Sequence, residues 1–375
     1  MMFVEQKNGL DFELNKSNLT AKIIRSSKAA GDIIIPRSIF YENEEYVITS
    51  ISEKIFRNNR NIKSVTFSKG SEIHSIGKEA FSFSFVENIT IPPSVEEFHE
   101  GWCSGANRLC NIYLSPGNRR FSFVDSKYLI WKSNSNNDEY DVLVFVTRKI
   151  IEAKVFSFIK RISASAFYGC NDLKIVDFTE DSNLNYIGND AFSSSSITKI
   201  KMPSSVENFG DRIFDQCIKL KTVEFSQESK FKTITKEAFI RSSIERILIP
   251  SQVTTIEMRA FAFCKKLKTV EFTENSNIQT INKEAFYFSS IRNILIPSKI
   301  CQICERAFFF CMDLKSIEIL SESVSFGSMW IDHCSNLSLV SCPNVKKLTV
   351  EISSKSGLSK SFSLFVCAGV ELVNG

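Results

Sequence analysis

Glycine and proline are scarce in this chain, with 14 and 8 residues in 375, which sets it apart from an ordinary α/β enzyme built on glycine-rich loops. Histidine is rarer still: His74, His99 and His333 are the only three, and none falls in an H-E-x-x-H metal motif. G-x-S-x-G, P-loop and G-x-G-x-x-G signatures are missing as well. No catalytic residue, cofactor, metal site or small-molecule substrate is therefore expected. Charge of one sign is also lacking, since 46 basic and 42 acidic residues leave a net +4, and no strong field draws in nucleic acid. Met1 to Lys7 turns polar by its fifth residue, without the roughly 7 to 15 apolar residues of a secretory signal. The most apolar tail, Ser361 to Val373, is shorter than the roughly 20 residues a membrane helix takes. No membrane span is expected, and the residues leave the compartment open.

Phenylalanine is abundant instead, with 33 residues. An Ala-Phe or Ile-Phe pair recurs at Phe56, Phe81, Phe167, Phe192, Phe214, Phe239, Phe261, Phe286 and Phe308. From Phe167 onward the steps alternate between 25 and 22 residues, so two unequal turns make a superperiod of 47. Trp330 reads as one further step of 22. Each turn also carries an apolar triplet spaced L-x-x-L-x-L, as in Leu220-Val223-Phe225, Ile244-Ile247-Ile249 and Leu267-Val270-Phe272. With β alternation, the fourth and sixth positions face inward and the third and fifth outward, so consecutive turns stack as a parallel sheet. Proline ends alternate strands, at Pro92, Pro203, Pro250 and Pro297. A chain of this length otherwise splits into globular domains, but the period predicts a β-rich solenoid. It is read as a right-handed leucine-rich-repeat stack with a parallel concave sheet and alternating 25- and 22-residue turns.

The period divides the chain. Residues 1–50 lack the Ala-Phe mark and hold short strand-like runs at Leu19 to Ile24, Ile33 to Ile35 and Tyr46 to Ile48, which predicts a β-rich N-terminal cap. Residues 51–350 form the solenoid, with degenerate turns around Leu337 and Val345, and 351–375 are a C-terminal tail or incomplete cap. An interruption at 121–151 is read as a β-hairpin, with Tyr128 to Trp131 and Val142 to Val146 flanking a polar loop at Ser133 to Glu139. The strands are as apolar as the rest of the core, so a lengthened structural turn is favoured over a binding insertion.

At these residues the sequence resembles the BspA-like leucine-rich-repeat family, whose unit looks like L-K-x-V-x-F … I-x-x-x-A-F-x-x-C alternating with S-I-x-x-I-x-I-P-x-x-V. Here these are Leu220-Lys221-Thr222-Val223-Glu224-Phe225 through Phe239, then Ser243-Ile244 to Pro250. The resemblance covers roughly residues 50 to 345. It implies a surface antigen or adhesin of the kind found in bacteria and anaerobic protist parasites, binding host or matrix proteins or other cells, and it transfers no binding residue. An intracellular scaffold of the same fold, binding a protein partner, is the alternative.

Cys170, Cys217, Cys264 and Cys311 repeat every 47 residues, three after the core Phe. Two turns at about 4.8 Å each separate them by about 9.6 Å, beyond the roughly 7 Å limit for a disulfide, so they read as a buried ladder. Cys301 and Cys304 differ: the register puts them where Thr254 and Glu257 stand in an earlier turn, which makes them accessible, yet no second pair completes a zinc site. The candidate binding surface is the outward face of the sheet between roughly residues 170 and 320. Its second motif position brings Lys221, Lys268, Arg292 and Lys315, its third Arg246, and its fifth Glu224, Leu248, Glu271, Leu295 and Glu318. Leu248 and Leu295 are apolar at outward positions rimmed by charge, as a protein-binding surface tends to be.

Overall fold

The repeating apolar triplet sets the architecture. In a computed structural model, residues 9–134, 136 and 138–344 are described, together with the backbone of the strands Met2–Glu5, Lys347–Val350, Phe365–Val366 and Leu372–Asn374. Among them every regular element is a β-strand, and none is a helix. The degenerate turn around Val345 and most of 351–375 lie outside the described residues. The chain forms two compact units, one of 1–150 with 161–172 and the other of 151–160 with 173–375.

In the second unit the triplets form a ten-stranded sheet that runs from Glu152–Val155 through Arg246–Ile249 and Asn293–Ile296 to Phe365–Val366. Its strand pairings are all parallel, with Val176 opposite Ile200, Ile200 opposite Val223, and Ile294 opposite Ile317. Equivalent residues are therefore in register, and the fourth-position side chains Val223, Ile247, Val270, Ile294 and Ile317 are all buried. A second parallel sheet, of seven strands mostly two residues long, lies beyond each proline or serine turn, pairing Thr233 with Thr255 and Thr255 with Thr280.

Between the sheets the core phenylalanines form a column. Ring centroids from Phe192 to Phe214, Phe239, Phe261, Phe286 and Phe308 step by 5.5, 5.3, 5.1, 5.2 and 5.0 Å, with planes within 22° of parallel. Strand spacing is about 4.8 Å and stacked aromatic pairs prefer 4.5 to 7 Å. One ring per turn thus satisfies both distances. Burying such a ring contributes roughly 1.5–3 kcal/mol.

The backbone around each ring alternates in hand. Residues two before and two after the core Phe take a left-handed conformation: Arg212 and Gln216, Glu237 and Arg241, Arg259 and Phe263, Glu284 and Phe288, Arg306 and Phe310, with φ from 53° to 60°. An L-residue there costs roughly 1–2 kcal/mol. The return is main-chain pairing, because each flip turns alternate amides along the stack. Glu237, Phe239 and Arg241 donate to Met258, Ala260 and Ala262 of the next turn at 3.0, 2.8 and 3.0 Å, while Ala238, Ile240 and Ser242 close bonds within their own turn. The turns are hydrogen-bonded to one another as the strands are.

That pattern corrects the step to Trp330. Phe308 donates its amide to the Trp330 carbonyl, and Phe239 likewise donates to Ala260, one residue before Phe261. Ile331 therefore holds the phenylalanine slot and Trp330 the alanine slot. Trp102 and Cys103 repeat the exchange, since Phe81 donates to Trp102. A large ring in the small slot and a smaller group in the large one fill the same space, and all four residues are buried.

The cysteine ladder is buried as expected, and it also bonds. The thiols of Cys217, Cys264 and Cys311 donate to the carbonyls of Phe192, Phe239 and Phe286 in the preceding turn, each at 3.0 Å. Serine takes the equivalent place in the short turns, so Ser195, Ser242 and Ser289 lie 3.7, 3.6 and 3.4 Å from those sulfurs.

In the first unit, the expected runs are strands at Thr20–Arg25, Gly31–Ile35 and Glu44–Ile51. Ser38–Tyr41 is an additional strand, antiparallel to Glu44–Ile51. The interruption at 121–151 holds a meander rather than one hairpin: Phe121–Val124 pairs antiparallel with Tyr128–Trp131, which pairs antiparallel with Val142–Val146. Asp125 and Ser126, both left-handed, make its first turn, without the Asn-Gly or Asp-Gly that normally signals one. All of Val142–Val146 is buried.

Because each turn is stabilised by its neighbours, Phe239→Ala should lower stability by about 3–5 kcal/mol and split unfolding into stages. Denaturant titration followed by circular dichroism checks this. A single transition shifted by less than about 1 kcal/mol would contradict the column's role.

Candidate functional site

Of the ten residues singled out, Glu224, Arg246, Leu248, Glu271, Leu295 and Glu318 lie within strands of the sheet, and Lys221, Lys268, Arg292 and Lys315 each stand immediately before one. Parallel register aligns the fifth motif position into a row: Lys201 is opposite Glu224, Leu248 opposite Glu271, and Leu295 opposite Glu318. The pairings Thr222 with Arg246 and Thr269 with Asn293 join these couples into one continuous line. A second row is tied by the main chain, where Lys221 is followed by Glu245, Lys268, Arg292 and Lys315, each donating its amide to the carbonyl of the residue before at 3.0, 2.9, 3.2 and 2.7 Å. Arg246 stands between the rows and reaches Glu271 on the next strand at 2.6 Å. Lys199 reaches Glu224 in the same diagonal way, also at 2.6 Å.

Both ion pairs are exposed, so each stabilises by roughly 0–1 kcal/mol. Their effect is to hold carboxylates in place along the row. Lys221, Lys268, Arg292 and Lys315 have no ion-pair partner among the described residues. Leu248 and Leu295 are 42% and 51% exposed, which is high for aliphatic residues within a sheet. Ile175 and Leu339, also exposed, extend the apolar content of this face at the third position. A groove of about 610 Å³ crosses it over Thr269–Phe272, Asn293–Ile296 and Ser316–Ile319.

Two features escaped the sequence reading. The turns opposite the sheet gather Phe263, Tyr287, Phe288, Phe309, Phe310 and His333 into a partly exposed cluster with neighbouring rings 4.7 to 6.4 Å apart. Lys265 and Arg306 stand over Phe288 and Phe309. The aromatic runs Phe286-Tyr287-Phe288 and Phe308-Phe309-Phe310 signalled it. The other feature is Arg148, a buried guanidinium in the first unit. It donates to the Ala166 carbonyl at 3.0 Å, lies 4.4 Å from the Phe145 ring centre, and points to the sulfurs of Cys103 and Cys170 at 3.8 Å.

Cys301 is exposed and Cys304 half-buried, the latter bonded to Asn282 at 3.5 Å. No three histidine, cysteine or acidic residues come together as a metal site among the described residues. No helix among them is long and apolar enough to cross a membrane.

The family described as BspA type leucine rich repeat region matches this sequence in six copies, over residues 35–126, 143–268 and 232–359. Among solved structures the chain is similar to a leucine-rich repeat protein from Eubacterium ventriosum, at TM-score 0.53 and 19% identity over 89% of this chain and 95% of that one. It is also similar to a leucine rich cell surface protein from Faecalibacterium prausnitzii, at 0.49 and 18% over 98% and 99% of the two chains. A leucine-rich repeat protein from Bacteroides ovatus gives 0.46 and 18% over 93% and 76%. These likenesses concern the fold alone. No curated protein matches the sequence.

Burial pushes the thiols of Cys217 and Cys264 up to about 12 and that of Cys103 to about 11, so at pH 8 they hold their protons and cannot attack. A thiol reagent should label Cys301 first and the ladder only after denaturation, as read by peptide mass spectrometry. Labelling of Cys217 as fast as Cys301, or a disulfide between any two of Cys170, Cys217, Cys264 and Cys311, would contradict the register.

Proposed function

Since the chain belongs to the BspA-type leucine-rich-repeat family, we propose that it is a non-catalytic interaction module of the surface antigen or adhesin type, docking a host or matrix protein on the outward face of its ten-stranded sheet. The solenoid of residues 51–350 serves as the binding part and residues 1–50 as its cap. The observation that carries this reading is the pair Leu248 and Leu295, exposed in a row between the charged Lys201, Glu224, Glu271 and Glu318. Aliphatic groups on a rigid, charge-rimmed sheet lose little water-free packing in the free protein and gain it against a partner. Lys221, Glu224, Arg246, Lys268, Glu271, Arg292, Lys315 and Glu318 surround them and select the partner's charge pattern. The meander at 121–151 gives a binding insertion less support, because its last strand is wholly buried.

Affinity spread over rows makes single changes mild and paired ones informative. Changing Leu248 and Leu295 together to Asp should weaken capture of a host or matrix protein by about five- to thirtyfold, a loss of roughly 1–2 kcal/mol. The fold should hold, because neither side chain belongs to the packed interior. Reversing Lys221, Lys268 and Lys315 to Glu should change mainly the association rate and its salt dependence. Full binding by both folded variants would overturn the sheet face as the site. Immunofluorescence on unpermeabilised cells tests the surface role separately, and staining only after permeabilisation would contradict it.

A further inference from the structure

The fifth-position row alternates in chemistry with the turns. Long turns supply Asp177, Glu224, Glu271 and Glu318, whereas the short turns between them supply Lys201, Leu248 and Leu295. Carboxylates, and the two leucines, therefore each recur on every second strand, about 9.6 Å apart for a strand spacing of about 4.8 Å.

The groove over this row is one-sided in charge. Its lining includes Glu271, Glu274 and Glu318 beside Leu295, Pro297 and Leu320, and it contains no lysine or arginine. Arg246 engages Glu271 from outside it, while Glu274 and Glu318 have no ion-pair partner among the described residues. Apart from Lys201 in the row itself and the ion-paired Lys199 and Arg246 beside it, the cations named on this face stand in the separate row of Lys221, Lys268, Arg292 and Lys315, where the strands begin. An occupant of the groove thus meets hydrocarbon and carboxylate together, which selects a segment bearing aliphatic and basic side chains.

The spacing selects its conformation. On an extended β-segment one face recurs about every 6.6–6.8 Å. On an α-helix it recurs about every 5.4 Å, so that two helical turns span about 10.8 Å. A polyproline-II segment presents the same face every third residue, about 9.3 Å along its axis, close to the 9.6 Å repeat of the row. It also arrives already extended, which limits the entropy lost on docking. Resting on the sheet face as docking surface, we infer that the groove takes a polyproline-II segment of a partner protein, running along the stack, with a proline or aliphatic residue and a basic residue in each triplet. The apolar residues sit against Leu295 in the groove and against Leu248 on the strand beside it, and the basic ones reach Glu271, Glu274 and Glu318.

Fluorescence anisotropy with the full chain tests this, using labelled peptides of four Pro-Ala-Lys triplets, four Pro-Ala-Glu triplets, and the lysine composition permuted to break the triplet. The lysine triplets should bind at least tenfold more tightly than either control, with an affinity that falls as salt rises. Glu274→Gln with Glu318→Gln should weaken them about fivefold, and Leu248→Ser with Leu295→Ser by a similar factor. Equal binding of the permuted or glutamate peptide, or no binding of the lysine triplets at millimolar concentration, overturns the inference. If the peptides fail while the Leu248→Asp and Leu295→Asp pair still loses capture of a folded protein, the sheet-face reading survives without this partner class. If that pair also retains capture, both fall.

Discussion

The match between ring stacking and strand spacing is the constraint on which the rest of this structure depends. A parallel stack advances about 4.8 Å per turn, and the phenylalanine column advances 5.0 to 5.5 Å. Rings that contact at the repeat distance leave no void between turns and permit no slip by one residue without breaking every contact at once. The left-handed residues beside each ring serve the same end. Their local cost is offset because the amides of Glu237, Phe239 and Arg241 find carbonyls in the next turn, and a buried amide without a partner would cost roughly 1–3 kcal/mol.

Register fixed inside is register fixed outside. The same alternation of long and short turns that places Cys217 and Ser242 in sequence along the core places Glu224 and Leu248 in sequence along the outward row. One 47-residue period therefore writes two patterns, a hydrogen-bonded Cys and Ser ladder within and a carboxylate and aliphatic row without. The outward row takes no part in the packing, so its chemistry is free to serve recognition while the interior carries stability. A surface held this rigidly can sum many weak contacts, each of which would be negligible on a mobile loop.

Much of this was legible in the residues. The 25- and 22-residue phenylalanine spacing and the L-x-x-L-x-L triplet, read with β alternation, predict the parallel sheet, its inward set, and the outward placement of Leu248 and Leu295. The exchange at Trp330 and Ile331 was not, because a search for the Phe position follows the largest side chain, and here the large ring had moved into the neighbouring slot. Left-handed residues such as Arg241 and Phe263 were hidden for another reason. Glycine or asparagine is the usual sign of that conformation, whereas here pairing between turns imposes it on whatever residue is present. The aromatic cluster at Phe288 and Phe310 stood in plain sight as runs of rings, but with one Phe per turn assigned to the core its neighbours passed as more of the same. Arg148 gave no signal at all, since only the packing of Ala166, Phe145 and two sulfurs around it shows that its charge is buried.

The central claim is that the turns around each phenylalanine are bonded to one another along the stack, and amide hydrogen exchange measures it most directly. The amides of Phe214, Phe239, Phe261 and Phe286, which donate to Ala238, Ala260, Ala285 and Ala307 of the following turn, should exchange as slowly as the sheet amides of Val223 and Ile247. Exchange of those four at the rate of an unstructured peptide, with the sheet still protected, would show that the turns are not held by the stack and would contradict the account.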